Sequence, residues 1–101
     1  MKKIDLHIHT VSTVWDESFS FNLKELEKYV SEAKLDAIAI TNHNMFDGTQ
    51  FRIINEALNV VVFPGIEVSL ECGHVLIISD VADLKNFEDK AELVTQRISQ
   101  I

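Results

Sequence analysis

Several sequence features are absent from the chain or rare in it, and each of these absences excludes a class of protein. Its single cysteine, Cys72, cannot form a disulfide within the chain, which favours a reducing compartment and leads us to expect a cytoplasmic protein. No apolar run approaches the ~20 residues that cross a membrane. A signal peptide would carry an apolar core near the N-terminus, where this chain has Asp5 and a His-x-His instead. We therefore expect a mature, soluble protein with no membrane partner.

Positive charge is also scarce, with 9 Lys and Arg against 16 Asp and Glu and a net charge of −7. The lysines are scattered and form no basic stripe, so we do not expect this chain alone to bind nucleic acid. An anionic substrate would need local positive charge, which bound metal ions can supply. The 101 residues contain no repeat, low-complexity tract or linker, and we predict one domain over residues 1–101.

Apolar periodicity predicts four strands and three helices in the order βαβαββα. The predicted strands cover residues 4–10, 37–40, 60–63 with an extended continuation to 70, and 74–78. Amphipathic helices follow the candidate N-caps Asn22 and Asp47, and a third begins at Asp80 or Asp83. Strands that alternate with helices imply an α/β fold with a parallel or mixed sheet. Four strands do not close a barrel, so we expect the fourth to be an open edge.

Three of the four histidines and one glutamate stand at the ends of predicted strands. His7 and His9 are two residues apart, so on an extended strand both imidazoles leave the same face and can bind one divalent cation. His43 ends the second strand and Glu67 the third, where a carboxylate is costly to bury unless it is paired or bound to metal. The carboxyl edge of a β/α sheet is where such folds place active sites. We predict these four residues as metal ligands, against the alternative of polar surface or an ion pair.

Two further residues extend the predicted ligand set. Asp16, in the loop after the first strand, either reaches back over the site or is solvated, and His74, which opens the fourth strand, is either a ligand or an edge residue. Asp5 is interpreted either as an acceptor for a ligating imidazole or as the polar residue of an alternating strand. Cys72 is close in sequence to Glu67 and His74 and remains an alternative ligand or nucleophile, although a small semi-buried residue is the favoured interpretation.

The predicted ligand types favour a particular chemistry. Histidine and carboxylate ligands without thiolates suit Zn, Mn or Fe. The predicted ligands exceed what one tetrahedral ion needs, so we expect a cluster of two or three ions with Glu67 as the bridging carboxylate. Clustered ions activate water and bind both the attacking and the leaving oxygen of a displacement at phosphorus, which favours phosphoester hydrolysis. Metal-assisted C–N hydrolysis is the nearest alternative.

Three segments resemble the first three motifs of the PHP (polymerase and histidinol phosphatase) family: residues 5–10 (DLHIHT), 39–44 (AITNHN) and 65–68 (GIEV). His74, just before an apolar strand, is similar to that family's next histidine. The resemblance runs from about residue 4 to about residue 80. It implies a distorted (β/α)7 barrel with a trinuclear metal site and phosphoesterase activity. More loosely, the opening stretch is similar to PHP domains that precede an ABC/SMC-type ATPase part in larger proteins.

The resemblance also implies how the ligands are shared among the ions. Water or hydroxide that bridges the ions would be the nucleophile, and Glu67 would be the bridging ligand. The three ions would be held, in order, by His7, His9 and Glu67; by Glu67 and His74; and by Asp16 and His43.

The chain departs from the family pattern in three places. Asn42 stands where the family usually has Asp before the second-motif histidine, which changes a charge beside the ligands and is expected to weaken the site. The segment between His9 and Asp16 is longer than the common form. The family's late ligands, a His and an Asp-x-His motif, would lie beyond residue 101, so the resemblance covers the N-terminal half of a PHP barrel. We expect that half-barrel to be incomplete, or to be completed by self-association through its open sheet edge as a homodimer.

The sequence thus predicts a metal-dependent phosphoesterase that hydrolyses a phosphomonoester or a phosphodiester. Its substrate would be a phosphorylated small molecule or nucleotide. The alternative is a metal-binding or interaction module with little or no turnover, which the missing late ligands and Asn42 favour. Both interpretations remain open at this point. The catalytic residues of the first would be His7, His9, His43 and Glu67.

Overall fold

The computed structural model describes residues 1–12 and 20–99 of the chain. Strands and helices follow in the predicted order, so the α/β class is confirmed. In these described ranges no helix is long and apolar enough to span a membrane. A short 3₁₀ turn, Val81–Asp83, precedes the last helix. The strands are β1 (Ile4–Ile8), β2 (Ala37–His43), β3 (Val61–Leu70) and β4 (Gly73–Ile78), and the helices are α1 (Leu23–Glu32), α2 (Gly48–Ala57) and α3 (Leu84–Ser99).

Side-chain caps fix where the helical segments begin. Asn22 caps α1, Asp47 caps α2, and Asp80 caps the 3₁₀ turn that leads into α3. Each cap accepts hydrogen bonds of 2.9–3.2 Å from backbone N–H groups two or three residues further along the chain. These bonds satisfy donors that have no partner inside the helix, so the predicted caps are confirmed, with Asp80 rather than Asp83 at the third.

The strands form one sheet in the order β1-β2-β3-β4, with β1, β2 and β3 parallel and β4 antiparallel to β3. Parallel strands end at the same edge of a sheet, and the β2–β3 register places His43 beside Glu67 there. A two-residue turn then reverses the chain, so that His74 at the start of β4 pairs with Ser69 near the end of β3. The topology therefore brings His43, Glu67 and His74 together at the carboxyl ends of the parallel strands.

The helices cover one face of the sheet and leave the ligands on the other. Ile38 and Ile40 of β2 are almost completely buried on the helix-covered face, and Val62 pairs with Ile38 on the same face. Because side chains alternate along a strand, His43 and Glu67 leave the opposite face. The main core consists of Leu26, Val30, Ile38, Ile40, Phe51, Ile54, Leu58 and Val62. A second cluster joins β3 to α3 through Ile66, Val68, Phe87 and Ala91.

The last strand of the sheet, β4, is the open edge that the sequence predicts, and it is apolar. Val75, Leu76 and Ile77 are 43%, 39% and 45% exposed. Proteins usually protect such an edge with lysine, proline or a bulge, because its unpaired N–H and C=O groups can pair with another strand. Residues 73–78 contain no lysine and no proline. The edge is therefore a surface on which another strand can pair.

Candidate metal centre

The four histidines of the chain converge on one carboxylate. Oε1 of Glu67 lies 2.7 Å from Nε2 of His7 and 2.8 Å from Nε2 of His9. The same oxygen is 3.6 Å from Nδ1 of His43, and Oε2 is 3.4 Å from Nδ1 of His74. Each strand of the sheet carries one of these side chains, and His9 directly follows β1. The structure therefore brings five of the six predicted ligands into one cluster.

The pairing of β1 with β2 is irregular around His7, two residues before His9. The register between β1 and β2 shifts by one residue between Asp5 and Ile8, so strict alternation is broken there. Oδ1 of Asp5 accepts a hydrogen bond from the backbone N of His7 at 3.1 Å, and its Oδ2 accepts one from the hydroxyl of Tyr29 at 2.6 Å. Asp5 thus holds the irregular backbone and joins β1 to α1, a different role from the predicted acceptor for an imidazole.

The site is closed at its floor and open at its rim. The side chains of Glu67 and His43 are 6% and 11% exposed, and that of His9 is 22% exposed. The side chains of His7 and His74 are 52% and 55% exposed. A molecule from solvent can therefore reach the group from the side of His7 and His74, while Glu67 lies at the bottom.

The surroundings of Glu67 favour its charged form. Burial by itself raises the pKa of this carboxyl, but hydrogen bonds from His7 and His9 and the nearby charge of His43 outweigh burial and leave the pKa below its ordinary value. Because folding lowers this pKa, ionised Glu67 stabilises the fold at neutral pH, and that stabilisation is lost as the pH falls through the folded-state pKa. The carboxylate is also the form that binds metal ions.

Among the residues that the structure describes, two groups of three side chains have the spacing of a metal site, namely His7, His9 and Glu67, and His43, Glu67 and His74. Within each group the ligand atoms all lie within 4.8 Å of one another. The Nε2 atoms of His7 and His9 are 3.1 Å apart. That is close to the separation of about 3.3 Å between two nitrogens bound to one tetrahedral zinc ion. Because both groups share Glu67, its two oxygens can bridge two ions, and the imidazole and carboxylate donors fit Zn, Mn or Fe.

A buried polar network holds the end of β1 beside the site. Oδ1 of Asn42 accepts hydrogen bonds from the backbone N of Thr10 at 2.7 Å and of Val11 at 2.9 Å. Its Nδ2 donates to the hydroxyl of Thr10 at 3.1 Å, and that hydroxyl donates to Oε1 of Gln50. Nε2 of Gln50 donates to the backbone oxygen of Thr10 at 3.1 Å. Asn42 and Gln50 thereby position the residue that directly follows His9.

Sequence patterns do not single out Thr10, and they place Gln50 only at the capping-box position after Asp47, because the two residues are 40 positions apart along the chain. The predicted ligand Asp16 lies outside the described residues. Cys72 is exposed in the turn between β3 and β4, so the expectation of a semi-buried residue is wrong. Neither ligand group contains Cys72. His43 is grouped with Glu67 and His74, whereas the family resemblance implies that it shares an ion with Asp16.

Comparisons of the chain with protein-family models, with curated proteins and with solved structures found no match. The PHP resemblance therefore rests on the sequence motifs. The arrangement of four histidines around Glu67, rather than a known relative, is the basis for a functional conclusion.

Proposed function

We propose that the chain is a metal-dependent phosphoesterase module of the PHP type, which hydrolyses a phosphomonoester or a phosphodiester. The observation that carries this proposal is the convergence of all four histidines on Glu67, in two ligand groups that share its carboxylate. A buried carboxylate is costly unless it is paired or bound to metal. Four imidazoles exceed what a single ion pair needs, whereas two bridged ions would use all of them.

The chain's own residues would supply the ligands and the access to the site. Bound divalent ions supply an acidified water and positive charge that stabilises a phosphoryl group. Glu67 is the negative charge at the floor, and the exposed rim at His7 and His74 leaves room for a substrate. Because the chain has a net charge of −7, we infer that a phosphorylated small molecule or nucleotide would bind through the ions rather than through a basic surface. The exposed thiol of Cys72 fits a cytoplasmic location.

The first test is metal content together with turnover, on protein purified without chelator or a metal-affinity column. By plasma mass spectrometry we expect two equivalents of Zn, Mn or Fe per chain, one for each ligand group. The loaded protein should hydrolyse bis-p-nitrophenyl phosphate, and the His7→Ala variant from the same purification should not. A metal content near zero, or equal hydrolysis by the His7→Ala protein, would contradict the proposal. Hydrolysis of C–N substrates alone would point to the amidohydrolase alternative.

A metal-binding interaction module without turnover is the second candidate, and the open edge at β4 is the observation that favours it. We propose that the partner on this edge is a second copy of the chain. A two-fold axis brings a strand antiparallel to its own copy, so β4 can pair with itself. Residues 73–78 contain no Asp, Glu, Lys or Arg, so this pairing brings no like charges into contact although the whole chain is acidic.

A lysine on this edge is expected to abolish the dimer. Ile77→Lys places a charge on an exposed edge position, which disfavours strand pairing. We expect light scattering after size exclusion to give twice the chain mass for the unmodified protein and the single mass for the variant. Leu93→Lys is the matched control, because Leu93 is 63% exposed on α3 and not part of β4, so its dimer should persist. A monomer mass at all concentrations of the unmodified protein would exclude self-pairing.

A further inference from the structure

Asn44 connects three parts of the fold directly beside the candidate metal centre. It follows the last residue of β2, is 2% exposed, and has a left-handed backbone with φ of 58°. Its backbone N donates to the backbone oxygen of Glu67 at 2.8 Å. Its side-chain Oδ1 accepts a hydrogen bond from the backbone N of Ser69 at 2.8 Å. Its backbone oxygen lies 2.7 Å from the hydroxyl of Thr95 on α3.

The side chain of Asn44 provides a hydrogen-bond acceptor where the backbone pairing of β2 with β3 has ended. β2 leaves the sheet at this residue because its backbone turns into the left-handed region, so no further β2 carbonyl follows for the N–H of Ser69. Oδ1 of Asn44 supplies that acceptor. Its Nδ2, in contrast, is buried and has no hydrogen-bond partner among the described residues. Asparagine therefore suits this position because its side-chain oxygen is an acceptor and because it tolerates a positive φ.

The two bonds from Asn44 hold the segment of β3 that carries the shared ligand. One bond holds the backbone at Glu67 and the other holds it at Ser69, two residues further on. The hydroxyl of Ser69 lies 3.2 Å from Nδ1 of His74, the ring nitrogen that faces Glu67. The position of both Glu67 and His74 thus depends on how Asn44 holds β3.

We propose that Asn44 is a positioning residue for the ion held by His43, Glu67 and His74, and that Thr95 connects this position to α3. The inference rests on the proposed metal site, because its effect on an ion requires that the ion binds. The hydrogen bonds of Asn44 to β3 reach backbone atoms of Glu67 and Ser69 and not the ligand atoms. Its effect is transmitted through the backbone of Glu67 and through Ser69 to His74.

Asn44→Gly is the sharpest variant, because glycine adopts positive φ without strain and only the side-chain bond is lost. In metal-free protein we expect the amide of Ser69 to exchange with deuterium about tenfold faster, since its hydrogen bond is gone. Lys34→Gly is the matched control, since Lys34 is the other non-glycine residue with positive φ in the described part of the chain, at 54°, and is exposed. It should leave exchange at Ser69 unchanged, and Asn44→Asp, which keeps the oxygen, should restore most of the protection.

The metal-dependent part is tested by titrating the same variants with zinc. We expect Asn44→Gly to weaken one of two binding events about tenfold, the usual cost of losing a residue that orients a ligand. In a His74→Ala background, where only the His7, His9 and Glu67 group is left, the same change should have a much smaller effect. Equal effects in both backgrounds, or unchanged exchange at Ser69, would overturn the inference. If the unmodified protein binds no zinc, the proposed function and the metal-positioning role both fail, while the exchange data still decide whether Asn44 holds β3.

Discussion

Replacing Glu67 by Gln is expected to remove both bound ions, whereas replacing His7 or His74 by Ala is expected to remove one ion each. Glu67 is the one side chain common to the two ligand groups, and each histidine belongs to a single group. Glutamine keeps the size of the side chain but lacks the negative charge that a bridging ligand provides. The loss of affinity should exceed the ~10–100-fold cost of changing a residue that only orients a ligand.

The measurement is metal stoichiometry and affinity on all three variants, with hydrolysis of bis-p-nitrophenyl phosphate followed in parallel. Glu88→Gln is the matched control, because Glu88 also faces a cation, Arg52 at 3.3 Å, but does so in a partly exposed surface pair that belongs to neither ligand group. Such surface pairs contribute little to stability, about 0–1 kcal/mol. A Glu67→Ala or Glu67→Gln protein that keeps its metal or its activity would show that this carboxylate is not the shared ligand.

Much of this site follows from local sequence. The spacing of His7 and His9, and the position of His43 and Glu67 after apolar runs, indicates which side chains meet, because parallel strands end at the same edge. The caps at Asn22 and Asp47 are similarly local, since each bonds to its own first turn. The element order and the open edge at β4 are therefore predictable from pattern alone.

What the sequence does not show are the features that depend on contacts between distant segments. The register shift in β1 is invisible in the sequence, where regular alternation predicts Asp5 on the same face as His7. In the structure Asp5 instead bonds to the backbone of His7 and to the hydroxyl of Tyr29. The partners of Asn42 lie 31 and 32 residues away along the chain. From the sequence alone, this asparagine shows only that a charge of the PHP motif is missing. In the structure the same amide joins two backbone donors and a hydroxyl.

The amide of Asn42 is the basis of the second prediction, because the PHP motif usually has aspartate at this position. The hydrogen bonds run in one direction, from Nδ2 of Asn42 to the hydroxyl of Thr10 and from that hydroxyl to Oε1 of Gln50. Aspartate at position 42 has no donor, so the Thr10 hydroxyl would turn toward it and leave the Gln50 oxygen without its donor. Asn42→Asp is therefore expected to destabilise the metal-free protein by about 1–3 kcal/mol, the cost of one unsatisfied buried polar group.

Alanine at the same position should cost more than aspartate, because it also leaves the backbone N–H groups of Thr10 and Val11 without their acceptor. In urea unfolding, we expect stability to decrease from Asn to Asp to Ala at position 42. An Ala variant too unstable to purify would agree with this order. If Asn42→Asp is instead as stable as the unmodified protein and binds zinc more tightly, then the charge that the PHP motif carries matters more here than the network, and Asn42 is a weakening departure rather than a structural requirement.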